Sequence, residues 1–136
     1  RSIFLEGYAA LAAEVTAAAA PGRPLAAVVE AVVGLFCRLF DEDRPRFAFL
    51  LLAQHDFLRQ VPAERDKNLV EAVAAAFDRA MQAGEIPRRD PALVAAMALG
   101  IVAQPAVFLT YGRLQGALAE RAGALCRAVL AMAREG

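Results

Sequence analysis

The sequence predicts an all-α fold of six helices. Three observations carry this reading: 33 alanines among 136 residues, apolar residues recurring at helical spacing through every long segment, and Pro, Gly and Asp marking the joins between segments. Alanine is the best helix former, spacings of three and four residues line up one helix face, and those three residue types stop or start helices. No stretch alternates apolar and polar residues as a half-buried strand would.

The first helix, about 2–20, puts Ile3, Phe4, Tyr8, Leu11 and Val15 on one face, and Pro21-Gly22 stops it. The second runs from Pro24 to about Phe40 with Leu25, Val28, Val29, Val32, Val33, Phe36 and Phe40 spaced for burial. Asp41-Glu42-Asp43 forms an acidic turn, where Asp43 can cap a third helix that carries Pro45 in its first turn. That helix spans about 44–58. Its run Phe47-Ala48-Phe49-Leu50-Leu51-Leu52 is apolar on every side, which predicts a central position in the core. The fourth follows Pro62 and lasts to about Ala83, with Leu69, Val73, Ala76, Phe77 and Ala80 inward and Glu64, Lys67, Glu71, Asp78 and Gln82 outward; Gly84 ends it. Asp90-Pro91 opens the fifth with a cap and a first-turn proline. Gly112 and Gly116 bracket the next turn, and the sixth helix covers about 117–134.

Composition narrows the function. Hydrophobic residues make up 59% and charged residues 22%, so disorder is excluded and one domain covers the chain. Fifteen basic residues balance fifteen acidic ones, which leaves no net field to gather a polyanion. Cys37 and Cys126 lie far apart in apolar helical stretches, outside any zinc or redox spacing, and fit a reducing, cytoplasmic setting as buried thiols. The N-terminal residues show no export signal. Residues 91–112 carry no charge and are long enough to cross a bilayer. Gln104, Pro105, Thr110, six alanines and the lack of aromatic belts argue for a buried helix instead, with no membrane partner. There is no Gly-rich phosphate loop, nucleophile elbow, paired Glu-x-x-His or haem-attachment motif, so neither an enzyme nor a cofactor is expected. A globin-like reading would need His55 as proximal ligand, too early in the chain.

The fifth helix has two unlike faces, Met97, Ile101, Gln104, Phe108 and Tyr111 on one and Ala96, Gly100, Ala103 and Thr110 on the other. Small residues allow close helix approach, whereas large ones around a central Gln fill or line a cavity. Pro105 removes a backbone donor opposite Ile101 and predicts a kink. The sixth helix likewise has stripes of Leu118, Leu125, Val129 and Met132, and of Ala119, Ala122, Cys126, Leu130 and Ala133. An isologous dimer pairing these helices as a four-helix bundle would cover both. Ala96, Gly100, Ala103, Leu118, Ala122, Leu125, Cys126, Val129 and Met132 are the expected interface. A monomer wrapped by its shorter helices is the alternative.

The stretch Ala83-Gly84-Glu85-Ile86-Pro87-Arg88-Arg89-Asp90-Pro91-Ala92-Leu93-Val94-Ala95-Ala96, followed by Gly100, resembles the junction before the penultimate helix in tetracycline-repressor (TetR) family regulators. Arg1-Ser2-Ile3-Phe4-Leu5 looks like the start of the helix that leaves the family's DNA-binding head. The resemblance covers the whole chain, 1–136, as the family's C-terminal ligand-binding and dimerisation domain, with the helix-turn-helix head not present in it. It implies a repressor, a homodimer, a small and largely apolar effector, and DNA contact only through that head. The turn around Gly84 with Arg88 and Arg89 offers no substitute, because the helix after it has no polar side chains for base edges; both arginines read as a solvated turn.

Effector residues vary in the family, so the candidates come from this sequence. Phe36, Phe40, Phe47, Leu51, Phe77, Met97, Ile101 and Phe108 are wall candidates, with Gln54, His55, Gln104 and Tyr111 as polar anchors. Each aromatic has an equally simple reading as core. His55 beside Asp56 cannot form a metal site alone, and Asp56, Arg59, Glu64, Arg65 and Asp66 read as surface charge. The alternative function is a ligand-free helical interaction bundle with a solid core.

Overall fold

The computed structural model describes residues 3–52 and 68–135, and every regular element among them is helical. In chain order these are α1 (Ile3–Ala18), α2 (Leu25–Glu42), α3 (Arg44–Phe47) running into a π-helical turn (Ala48–Leu52), α4 (Leu69–Gln82), α5 (Pro91–Thr110), a 3₁₀ turn (Leu118–Arg121) and α6 (Ala122–Arg134). α4 packs against α5 and α1, α6 packs against α2 and α5, and the π turn rests on α1. One core joins them. It takes Phe4, Tyr8, Leu11 and Val15 from α1, Val29, Val33, Phe36 and Phe40 from α2, Val73 and Phe77 from α4, and Val102 and Ala106 from α5. Each fully buried large side chain contributes about 1.5–3 kcal/mol by leaving water.

The local start and stop signals act as the sequence predicts. The Asp43 carboxylate accepts from the Arg46 amide at 3.1 Å, and Asp90 accepts from the Ala92 amide at 3.0 Å ahead of Pro91. Gly84 and Gly112 have φ of 79° and 75°, a left-handed conformation that favours glycine. They let the Glu85 amide reach the Ala80 carbonyl at 3.0 Å and the Arg113 amide reach the Phe108 carbonyl at 2.8 Å. Both are six-to-one closures that satisfy carbonyls at a helix end.

Three long-range caps hold the ends of separate helices together, and sequence spacing does not announce them. Asp41, in the last turn of α2, accepts from the Leu118 and Ala119 amides at 2.8 and 3.0 Å and so seats the 3₁₀ turn. α2 begins after Pro24, which offers no side-chain cap; Glu85 supplies one from the α4–α5 turn, accepting from the Leu25 amide at 3.1 Å. Arg89 donates to the Met132 carbonyl at 2.6 Å and the Glu135 carbonyl at 3.3 Å, closing the end of α6. The solvated-turn expectation is therefore corrected for Arg89, while Arg88 pairs with Asp78 at 2.6 Å on the surface.

Other boundaries shift as well. The expected helix over 44–58 is a single α turn followed by a π turn, and residues 53–67 lie outside the described residues. Only Phe47 and Leu50 of the apolar run are buried; Ala48, Leu51 and Leu52 are half-buried and Phe49 is exposed, so the run covers one side of the core. α4 starts at Leu69, where the Asn68 side chain accepts from the Glu71 amide at 3.1 Å. α5 continues through Pro105 to Thr110 as one helix.

Candidate functional site

Two features stand out: an apolar crevice between the helices, and the open face of α5. The crevice lies between α1, α2, α4 and α5 and is walled by Val15, Val28, Val29, Val33, Phe36, Val73, Phe77, Leu99 and Val102, with a volume of about 40 Å³. At about 10–15 Å³ per water-sized position it holds only a few small groups. Beyond it, where the α1–α2 turn meets the last turn of α4, a vestibule of about 350 Å³ opens to solvent. A third hollow of about 140 Å³ lies on the surface, lined by Phe36, Phe47, Leu51, Leu69, Leu99, Gly100 and Ala103.

Of the wall candidates, Phe36 and Phe77 line the crevice, and Phe36, Phe47 and Leu51 line the surface hollow. Phe40 lines none of these hollows. It is 1% exposed, meets the Phe47 ring edge-on at 5.2 Å and lies under the Arg44 guanidinium at 4.6 Å, so it is core. Met97 and Ile101 are half-buried and line none of the three hollows. The expected anchors on α5 face outward: Gln104 is exposed, Phe108 is 44% exposed and Tyr111 is 78% exposed. Gln54 and His55 lie outside the described residues. Valines make most of the wall, and in the sequence their spacing matches that of ordinary core. Four valines within six positions of α2, Val28, Val29, Val32 and Val33, were the available signal.

The interface candidates divide. Ala96 and Gly100 are exposed and Ala103 is half-buried on α5. Leu118, Leu125 and Val129 are buried within the chain, and Ala122, Cys126 and Met132 pack on the same core. Leu118, Leu125 and Val129 are thus spent on the chain's own core and offer a partner little surface, whereas Ala122, Cys126 and Met132 stay half-exposed. The outward face of α6 carries Gly123, Ala124, Arg127, Ala128, Ala131 and Arg134 instead.

The open face of α5 is more continuous than expected. Leu93, Met97, Gly100, Gln104, Val107 and Tyr111 alternate at intervals of four and three residues, the seam of a paired helix. The two faces read from the sequence thus merge into one arc, while Val94, Ala95, Ala98, Val102, Ala106 and Leu109 point into the core. α5 contains no charged residue, yet only a third of its most apolar stretch is buried. It is the one described helix long and apolar enough to cross a membrane. It packs, however, between α4 and α6, whose outer faces carry Glu71, Asp78, Arg127 and Arg134.

Burial governs the titratable groups. The Cys37 thiol is pushed up to about 11 by desolvation, with the charges of Asp41 and Cys126 adding to the rise and Arg38 opposing it. Cys126 is raised by burial, then by Glu30, against Arg127. Tyr8 is raised by burial; its hydroxyl makes no ordinary hydrogen bond among the described residues and feels the Leu69 and Val70 amides in the first turn of α4. A thiol raised in the folded state stabilises the fold fully below its unfolded value near 9 and loses that contribution as pH climbs to about 11. Urea unfolding between these limits is expected to show stability falling with pH, with a shallower fall in Cys37→Ala. An unchanged slope in the variant would assign the fall to other groups. Among the described residues no cluster of His, Cys, Asp and Glu has a metal-binding arrangement.

Among the described residues the geometry defines an all-helical chain with an apolar crevice between its helices and an apolar face of α5 left open. No family model matches the chain, and neither a curated protein nor a solved structure matches it.

Proposed function

We propose that the chain is the regulatory domain of a TetR-like transcriptional regulator, a cytoplasmic repressor that dimerises and responds to a small, largely apolar effector. The observation that carries this reading is α5, a charge-free helix of 20 residues with an open apolar seam. A face this continuous needs cover, and the charged outer faces of α4 and α6 favour protein over lipid. Gly100, Ala96 and Ala103 let a second helix approach closely, and the small outward residues Ala124, Ala128 and Ala131 of α6 extend the surface. An isologous pairing of α5 and α6 with their symmetry mates buries it.

The effector enters the crevice between α1 and the α2–α4–α5 layer. A ligand that binds the widened crevice more tightly shifts the population toward a displaced α1, by no more than that difference in affinity. α1 is the helix through which the resemblance connects this domain to a DNA-binding head. The Gly84-Glu85-Ile86 junction that carries the resemblance has a structural task here that supports it: Gly84 turns the chain, Glu85 caps α2 and Ile86 is buried. The domain performs no chemistry of its own on this reading and needs no cofactor.

The narrowness of the crevice favours a second reading, a ligand-free helical bundle whose α5 seam binds another protein. Native mass spectrometry of the purified chain, repeated after denaturation, separates the two. A mass of about twice 14.5 kDa that sheds a small molecule on denaturation is the expected result. A bare monomer would favour the interaction bundle.

A further inference from the structure

The crevice and the vestibule share a wall. Ala19, Leu25, Val28 and Ala76 line both, so the two hollows adjoin at these side chains. The charged groups lining the vestibule are Arg23, Arg79 and Glu85. Glu85 is already committed, its carboxylate accepting from the Leu25 amide at 3.1 Å at the positive end of α2. Arg79 donates to the Ala19 carbonyl at 2.5 Å, and Arg23 donates to the Ala18 carbonyl. A guanidinium has five N–H donors, and each arginine uses one among the described residues. Two cations against one carboxylate leave the vestibule with a single net positive charge, which suits a monoanion better than a doubly charged phosphate. A planar fork of donors matches a carboxylate.

The crevice beyond has the opposite chemistry. Its walls are almost wholly valine, alanine, leucine and phenylalanine side chains, and a polar group carried inside would lose its hydrogen bonds to water without replacement. At about 40 Å³ it takes about three water-sized groups. A space that small takes a short unbranched alkyl segment and has no room for a fused ring system.

We propose that the chain binds an amphipathic monocarboxylate with an unbranched aliphatic tail, the carboxylate held in the vestibule by Arg23 and Arg79 and the tail passing Val28 into the crevice. This deepens the effector-binding reading and rests on it for its biological purpose, but the site stands on its own residues.

Isothermal titration calorimetry with sodium butanoate, hexanoate and octanoate, and with octanol and octylammonium, tests it on the intact chain. Each methylene reaching the crevice is expected to tighten Kd about fourfold until the crevice is full. Octanoate is expected to bind at least tenfold more tightly than octanol, and octylammonium more weakly than either. Arg23→Gln, on the exposed turn, is expected to weaken octanoate severalfold and leave octanol unchanged. Val28→Phe fills the junction of the two hollows and is expected to abolish both. Arg79→Lys keeps the charge and the cap on α1 while losing the fork, and is expected to lose part of the octanoate preference. Octanol binding as tightly as octanoate, affinity independent of chain length, or a Val28→Phe variant that folds and binds normally would each overturn the site. Sedimentation velocity on the same samples separates this from the regulatory reading. A dimer that binds none of the probes overturns the site alone, whereas a monomer that binds octanoate supports the site and overturns the dimer.

Discussion

Gly100→Glu is expected to turn a dimer of this chain into a folded monomer. A Cβ placed at Gly100 meets no atom within 4 Å, so the fold has room for the side chain. Glutamate is also a better helix former than glycine, by about 0.5–0.8 kcal/mol, so the monomer gains rather than loses stability. In a paired seam the same carboxylate is driven into an apolar contact and meets its symmetry mate. Leaving a buried charge unpaired costs about 3–5 kcal/mol, and each 1.4 kcal/mol is about tenfold in affinity, so the dimer Kd is expected to rise more than about a hundredfold. Sedimentation velocity at micromolar concentration, beside far-ultraviolet circular dichroism, reads both halves of the result. A Gly100→Glu chain that remains dimeric moves the contact off α5. The equivalent change at Leu125 or Val129 cannot make this distinction: both side chains are buried, at 7% and 2% exposure, and a charge there attacks the fold itself.

The contrast between Gly100 and Val129 shows what was legible in the sequence. Helix class, order and most boundaries follow from local chemistry: Asp43, Asp90, Gly84 and Gly112 act on amides and carbonyls within six residues of themselves. Which face of a helix is spent inside the chain does not follow, because it depends on elements distant in sequence. α6 turns Leu125 and Val129 toward the core because Asp41 fixes the start of the 3₁₀ turn from 77 residues away and Arg89 fixes its far end. α5, charge-free and apolar almost all round, carries a pattern of large and small residues but not of burial; its neighbours decide that Val102 is buried and Gln104 is not. The candidate site suffered from the same limit. Aromatic residues are natural candidates for a pocket wall, and Phe36 and Phe77 do line the crevice, yet Phe40 packs against Phe47 and valines make most of the remaining wall.

Phe40→Ala is expected to be the most destabilising single change considered, and its effect on ligand decides between core and pocket. Phe40 sits near the end of α2, 1% exposed, with the edge-on Phe47 ring at 5.2 Å and the Arg44 guanidinium over its face at 4.6 Å. Truncation removes the transfer free energy of the ring and leaves a cavity beside a π turn, for about 3–5 kcal/mol in a typical core. That is a large share of the roughly 5–15 kcal/mol holding a domain together. Phe40→Leu keeps most of the buried volume but loses the edge contact and the cation over the ring, interactions worth about 0.5–1.5 kcal/mol each, so its loss is expected to be smaller. Urea unfolding measures both. If Phe40 belongs to the core alone, the affinity of the folded Phe40→Leu variant for octanoate stays that of the parent chain, since the ring lines neither the crevice nor the vestibule. A variant that loses little stability but binds longer or bulkier carboxylates would instead place Phe40 at the closed end of the ligand channel and extend the crevice toward the π turn.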